Sequence, residues 1–85
     1  MKGSEHLYPP SLAPLAEVFV LYKHDYEDCE LLGAARTLQA AQQLLEPNLP
    51  GSTGWLWTEE RDWLGRQSWA APGPWPYHIV RIELQ

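Results

Sequence analysis

The side chains most capable of chemistry lie in residues 24–30, which hold four of the eleven carboxylates and no lysine or arginine. A calcium-binding loop needs the pattern Asp-x-Asp-x-Asp-Gly with a distant Glu, and this segment does not follow it. A structural zinc site needs four ligands, whereas His24 and Cys29 supply two and no second pair follows. The segment therefore predicts no metal site.

Asp25, Glu27 and Asp28 have two remaining interpretations. They form either an acidic patch for a basic protein partner or the solvated loop of a β-hairpin, kept polar for solubility. The solvated loop is the commoner structure, and the acidic patch is the functional alternative. These three carboxylates are therefore candidate partner-binding residues.

Nucleophilic or acid–base catalysis has little support in the sequence. Cys29 with His24 or His78 supplies the side chains of a cysteine–histidine pair, but a lone cysteine beside a strand is more often a small buried hydrophobic residue. The carboxylates of residues 59–62 are expected at an exposed hairpin tip, where the pKa tuning that acid–base catalysis needs is absent. We therefore predict no catalytic residue, no cofactor and no enzymatic activity.

Five tryptophans are the most unusual feature of the 85-residue chain. They serve either as bulky core residues, in a chain with one phenylalanine, or as an aromatic recognition surface. Trp55 and Trp57 are expected on one strand face. A three-residue turn at residues 59–61 would place Trp63 in register with Trp57, and a four-residue turn would place it on the opposite face. Trp55, Trp57 and Trp63 are the aromatic candidates for partner binding.

These residues must be positioned by a small set of strands and one helix. Residues 17–23 and 30–34 predict a first hairpin joined by a polar connection, and residues 38–46 predict a helix capped by Thr37 and ended by Pro47. Residues 55–69 predict a second hairpin with its turn near residues 59–62, and residues 77–84 predict a final strand.

The predicted order is β-β-α-β-β-β. It indicates an α+β fold in which one short helix packs on one face of a small antiparallel or mixed sheet. Residues 1–16 predict a proline-containing N-terminal arm, and residues 17–85 predict a single domain. One face of the second hairpin is expected to meet the helix. The other face then needs the arm, the proline-rich loop at residues 72–76 or a partner to cover it.

The composition excludes several classes of partner. The net charge is −5 and the six lysines and arginines are scattered, whereas proteins that bind nucleic-acid phosphates carry basic patches. No apolar run approaches the roughly 18–20 residues of a membrane span, and the first residues lack the apolar core of a signal peptide. One cysteine permits no intramolecular disulfide. We therefore expect a cytoplasmic protein that binds neither nucleic acid nor membrane.

Residues 18–33, Val-Phe-Val-Leu-Tyr-Lys-His-Asp-Tyr-Glu-Asp-Cys-Glu-Leu-Leu-Gly, and residues 37–41, Thr-Leu-Gln-Ala-Ala, resemble small bacterial and phage proteins of unknown function. Those proteins begin with a strand of the type V-x-V-L-x-H, an acidic Tyr-Glu-Asp loop and E-x-x-L/I-G, followed by a short S/T-x-x-x-A helix. The resemblance covers residues 18–45, about a third of the chain. It implies a hairpin, a glycine and a capped helix, and it implies no activity.

Small size, acidity and abundant tryptophan favour a non-enzymatic protein-binding domain, such as an inhibitor, an immunity or antitoxin-like factor, or an accessory subunit. One alternative is a small-ligand module that uses the tryptophan-rich hairpin as a stacking platform. Another is a self-associating structural protein, a homodimer that forms through the strand edge near residues 30–34 or through an exposed strand face.

Overall fold

The computed structural model describes residues 17–84, so the predicted arm at residues 1–16 lies outside the described residues. Apart from a short 3-10 helix at Ser52–Gly54, the elements follow the order β1 Glu17–Asp25, β2 Asp28–Ala35, α1 Leu38–Gln43, β3 Thr58–Arg61, β4 Gln67–Ala70 and β5 Tyr77–Glu83. This is the predicted β-β-α-β-β-β order, and the predicted α+β class is confirmed. Among the described residues the one α-helix has six residues, too few to cross a membrane.

The five strands form one open sheet in the order β2-β1-β5-β4-β3, and every neighbouring pair is antiparallel. β1 lies inside the sheet between β2 and β5, as its β-branched and aromatic composition predicts. The edges of the sheet are β2, with eight residues, and β3, with four. The long edge strand therefore belongs to the first hairpin.

The connection between β1 and β2 is shorter than predicted. The strands continue until Asp25 pairs with Asp28, which leaves a two-residue turn of Tyr26 and Glu27. The prediction of a polar connection over residues 24–29 was wrong because polar side chains on an exposed hairpin end do not prevent backbone pairing. The register shifts once between β1 and β2, and Leu32 is the residue of β2 without a partner in β1.

α1 begins where the sequence predicts and ends earlier. The Thr37 hydroxyl accepts a hydrogen bond of 3.0 Å from the backbone N–H of Ala40. After Gln43 the chain tightens into turns in which each N–H bonds the carbonyl three residues back, as in the 3.2 Å bond from Leu44 to Ala41. The predicted helix over residues 38–46 therefore includes a last turn that is not α-helical, next to Pro47.

The helix packs on one face of the sheet and encloses the core with it. Gly33 permits this approach, since an added Cβ there would lie 2.9 Å from the Leu44 Cδ1. Each large apolar side chain buried in this layer contributes roughly 1.5–3 kcal/mol to folding. The buried core residues are contributed by β1, β4, β5 and the helix region: Phe19, Leu21, Ala41, Leu45, Trp69 and Ile79.

The second hairpin has its turn at residues 62–66, so the predicted turn near residues 59–62 was wrong. The Asp62 side chain builds the turn, because its Oδ1 accepts the backbone N–H of Leu64 at 2.9 Å and of Arg66 at 2.8 Å. Gly65 takes a positive φ of 82°, which glycine adopts at low cost. Trp55 and Trp57 consequently precede β3, and Trp63 lies in the turn itself.

Candidate functional site

The sheet face opposite the helix is the open face, and it carries an apolar strip. Strand pairing places Val18 beside Ile82, Val20 beside Val80 and Tyr22 beside His78. Side chains alternate along a strand, so these residues point away from the helix that covers Phe19 and Leu21. Within residues 17–84 no helix covers this face.

A groove of about 380 Å³ crosses the open face. Its floor consists of Val20, Val80 and Ile82, and the other lining residues stand around it. On one side is Leu31 of β2, with 74% of its surface exposed, and on the other is Trp63 of the β3–β4 turn, with 87% exposed. We call this feature the open-face groove. Two large apolar side chains exposed on the rim of one concave surface are typical of an interaction site.

Aromatic and imidazole rings occupy one end of the open-face groove. Tyr22 stacks on His78 with ring centroids 5.3 Å apart, and His24 approaches His78 edge-on at 6.4 Å. Burial raises the pKa of Tyr22, and the nearby carboxylate of Asp62 adds to this effect. Tyr22 therefore presents a neutral phenol near pH 7.

His78 also favours its neutral form. Burial lowers the pKa of the His78 imidazole, Glu60 opposes that effect and His24 adds to it. Neutral phenol and imidazole groups donate and accept hydrogen bonds without the cost of desolvating a charge. This end of the groove is therefore suited to polar contacts with a ligand.

Asp62 and Arg66 form the one ion pair that borders the groove in the described part of the chain. The Arg66 Nε lies 2.8 Å from Asp62 Oδ2. Burial acts to raise the pKa of Asp62, but hydrogen bonds from the backbone and side chain of Arg66 and from the backbone of Leu64 outweigh it and lower the pKa. Asp62 thus stays ionised, holds the turn and places Trp63 beside the groove.

The three predicted acidic candidates lie together at the end of the first hairpin. Asp25 and Asp28 are directly opposite one another, and Glu27 is in the turn between them. All three are exposed, and none makes an ion pair with another residue of the 17–84 segment. Like charges directly opposite in a sheet repel one another. Because no described cation neutralises these carboxylates, this hairpin end has a negative potential. It adjoins His24 and Cys29, which line the groove.

Cys29 is exposed, which corrects the expectation of a buried cysteine. It lies opposite His24 across the β1–β2 hairpin, and His78 is near His24. Within residues 17–84, however, no three His, Cys, Asp or Glu side chains are close enough to share a metal ion. Both Cys29 and His24 line the open-face groove.

Trp55 and Trp57 belong to a different region from Trp63. Trp55 lies 6.1 Å from Trp57 and stacks on Trp75 at 5.2 Å, measured between ring centroids, and Tyr77 completes the cluster. Trp55, Trp57 and Tyr77 pack against the core on the helix side. The structure thus separates the aromatic candidates, with Trp63 alone on the groove.

Several groove residues were not singled out as site residues from the sequence. In the sequence, Val80 and Ile82 alternate with other residues along the last strand, as do Val18, Val20 and Tyr22 along the first. That alternation was the available signal, but it does not reveal which face the helix covers. Leu31 gave no signal, because its exposure follows from the place of β2 at the edge of the sheet.

In comparisons with protein-family models, curated proteins and solved structures, the chain matches none. The resemblance of residues 18–45 to small bacterial and phage proteins stays a prediction.

Proposed function

We propose that this chain is a non-enzymatic protein-binding domain and that the open-face groove is its docking surface. The observation that carries the proposal is the exposure of Leu31 and Trp63 on either side of an apolar floor. Binding that covers these two side chains removes apolar surface from water at about 25 cal/mol per Å². Tryptophan is also among the residues most often found at binding hot spots.

The charge of the groove's surroundings favours a basic partner. The molecule has a net charge of −5. At the hairpin end Glu27 lies in the turn and Asp25 and Asp28 lie on the helix face, so a partner in the groove would reach these carboxylates around the end of the hairpin; none has an ion pair among the described residues. We propose that the partner is a segment of another protein that places an apolar side chain between Leu31 and Trp63 and a lysine or arginine near these carboxylates. An inhibitor, an immunity or antitoxin-like factor, or an accessory subunit would use such a surface.

Defined peptides test this proposal. Peptides with a central leucine or phenylalanine, flanked by lysine, serine or glutamate, are titrated against the domain and followed by fluorescence anisotropy. We expect the lysine-flanked peptide to bind about tenfold more tightly than the glutamate-flanked one, and its affinity to fall as salt rises.

A matched pair of leucine variants locates the binding surface. Leu31→Ser should weaken peptide binding about tenfold. Leu56→Ser is the control, because Leu56 is 86% exposed and lies outside the groove. Equal losses in the two variants would contradict the assignment of the groove. Equal binding of lysine- and glutamate-flanked peptides, or no binding of any peptide, would contradict the proposed partner chemistry.

The small-ligand alternative depends on Trp55 and Trp57, whose rings pack against each other, Trp75 and Tyr77, so the groove favours the protein-binding function. We propose the cytoplasm as the location, because a chain with one cysteine gains no disulfide from an oxidising compartment.

A further inference from the structure

The outer edge of β2 has no strand beside it in the described part of the molecule. β2 has eight residues, Asp28–Ala35, and the backbone donors and acceptors that do not bond β1 point out along this edge. Exposed edges are usually protected from pairing by charged residues, above all lysine, by proline, by β-bulges or by very short length. β2 is long, and its bulge at Leu32 lies at its centre, with regular strand on either side. β2 has no lysine, arginine or proline, and Leu31 and Leu32 are exposed at its centre.

The register shift at Leu32 decides which faces the two halves of β2 present. Cys29 and Leu31 pair with His24 and Tyr22 of β1, which lie on the open face. After the shift, Ala34 pairs with Val20 and is also on the open face. By the same pairing Asp28, Glu30, Gly33 and Ala35 lie on the helix face, and Leu32 has no partner in β1.

We propose that β2 pairs antiparallel with β2 of a second copy of this chain, about a two-fold axis between Leu31 and Leu32. This register places Cys29 opposite the partner's Ala34, Glu30 opposite the partner's Gly33 and Asp28 opposite the partner's Ala35. Residues directly opposite one another in a sheet point to the same face. The three pairings each meet that condition.

Because of the register shift, residues in both halves of β2 can pair with the second copy. In a regular eight-residue strand, a two-fold axis through the middle would pair residues that point to opposite faces, and the register would have to slip. The extra residue at Leu32 reverses the alternation halfway along β2 and removes this conflict. Three residues on either side of the two-fold axis, Asp28–Glu30 and Gly33–Ala35, can therefore pair between the copies while the faces agree.

Charge also favours this arrangement. Asp28 and Glu30 of the two copies lie at opposite ends of the antiparallel pair, and Asp28 comes next to the partner's Arg36. Arg36 is exposed and makes no ion pair within residues 17–84. In a parallel arrangement each carboxylate would instead lie beside the same carboxylate of the other copy, and like charges in that position repel one another. The charges therefore favour the antiparallel over the parallel orientation of two β2 strands.

The dimer would enlarge the proposed docking surface. A two-fold axis perpendicular to the sheet keeps the open faces of both copies on the same side. The two open-face grooves would then meet at Leu31, and ten strands would form one sheet. This inference goes beyond the proposed function, because it concerns pairing of the chain with itself in the absence of any other partner.

Disulfide trapping in the full chain tests the register. Cα atoms of directly opposite antiparallel residues are about 4.5–5.5 Å apart, which suits a disulfide. In the Ala34→Cys variant the new thiol would lie opposite Cys29 of the other copy. Within one chain these positions are five residues apart on a strand, about 16 Å, so no internal bond forms. We expect mild oxidation to convert Ala34→Cys to a covalent dimer on a non-reducing gel.

Ala35→Cys is the matched control for the trapping experiment. Its thiol lies on the helix face opposite Asp28, away from Cys29. We expect this variant and the unmodified chain to remain almost free of covalent dimer under the same oxidation. Equal trapping of the two variants, or no trapping of Ala34→Cys, would overturn the proposed pairing.

Sedimentation without oxidant tests the dimer itself. The chain has a mass of 9.7 kDa, and we expect sedimentation equilibrium to give twice that mass. The Leu31→Lys variant should be a monomer in the same experiment, and its circular dichroism spectrum should be unchanged. A monomer at all concentrations up to about 1 mM, or a dimer that survives Leu31→Lys, would refute the inference. Because no peptide is present, these results are independent of the test of the docking surface.

Discussion

Tyr26 is the one non-glycine residue with a positive φ in the described chain, at 53°. A side chain in this left-handed region costs roughly 1–2 kcal/mol. The Tyr26 ring is 94% exposed, so packing offsets little of that cost. Its position follows from the two-residue turn that joins Asp25 to Asp28.

Replacing Tyr26 with glycine should therefore stabilise the domain. We expect Tyr26→Gly to raise the free energy of unfolding by about 0.5–1 kcal/mol, because glycine adopts positive φ readily but loses more entropy on folding. Urea denaturation measures the change. Tyr26→Ala keeps the unfavourable backbone conformation and should match the unmodified protein. If the glycine variant were no more stable than the alanine variant, backbone strain at this turn would be disproved.

His78 makes the stability of the domain depend on pH in a defined direction. The pKa of His78 is lowered by burial and by His24, against the opposing effect of Glu60. Below about pH 6.5 the unfolded chain then binds more protons at this residue than the folded chain does. The stability linked to His78 is present above that pH and is lost as the pH falls below it.

We expect the free energy of unfolding to decrease between pH 7.5 and about pH 5.5, and His78→Gln to reduce that slope. Urea denaturation at a series of pH values measures both slopes. The comparison concerns the slope rather than absolute stability, because the substitution also removes the stacking contact with Tyr22. An unchanged slope in the variant would assign the pH dependence to other groups.

At the scale of elements, side chains at turns determine where helices and strands end. Asp62 accepts two backbone N–H groups in the β3–β4 turn, and Thr37 caps α1. Glu46 acts over a longer distance, since its carboxylate accepts the N–H of Gly51 at 2.7 Å and of Thr53 at 3.1 Å. This carboxylate connects the end of the helical region to the 3-10 helix.

The bonds to Glu46 predict a pH-dependent contribution to stability. The backbone hydrogen bonds from Gly51 and Thr53 lower the pKa of Glu46 below its usual value. The stabilisation is therefore present above about pH 4.5 and is lost as the pH falls through the folded-state pKa. We expect Glu46→Ala to lower the melting temperature at pH 7 and to differ less from the unmodified protein at pH 3. A difference that stays constant with pH would show that the charge of Glu46 is unimportant.

At the scale of the whole molecule, the sheet has one covered face and one open face. The covered face holds Trp69, which is 9% exposed and packs on Phe19 with a centroid distance of 5.8 Å. Trp63 is in the turn that leads into the same strand, yet it stands exposed beside the groove. Two tryptophans six residues apart thus have opposite environments.

The same substitution at these two tryptophans should have different consequences. We expect Trp69→Ala to reduce the free energy of unfolding by about 3–5 kcal/mol, because it leaves a cavity between the sheet and the helix. Trp63→Ala should change it by less than about 0.5 kcal/mol, as for exposed sites, while weakening peptide binding. Thermal denaturation of both variants measures the contrast. A large loss of stability in Trp63→Ala would show that Trp63 is a structural residue.

The sequence by itself determined the order and type of the elements. The β-branched run of residues 17–23 predicted a strand, Thr37 predicted the start of the helix, and the proline-rich loop at residues 72–76 predicted the break before the last strand. These signals are local, because propensities, caps and prolines act within a few residues. Because these signals are local, they do not include the contacts with other segments that decide where an element ends. The ends at Arg61 and Gln43 were therefore less well predicted.

Only the tertiary structure decided which residues form the groove. The alternation of Val18, Val20 and Tyr22 is equally compatible with either face, and the helix selects the covered face by packing on Phe19 and Leu21. The place of β2 at the sheet edge, which exposes Leu31, depends on the pairing of β1 with β5, more than fifty residues away along the chain. Leu31 is exposed because no further strand of the described chain lies beside β2. Contacts between distant segments form only when the sheet forms, so local sequence does not determine which residues stay exposed.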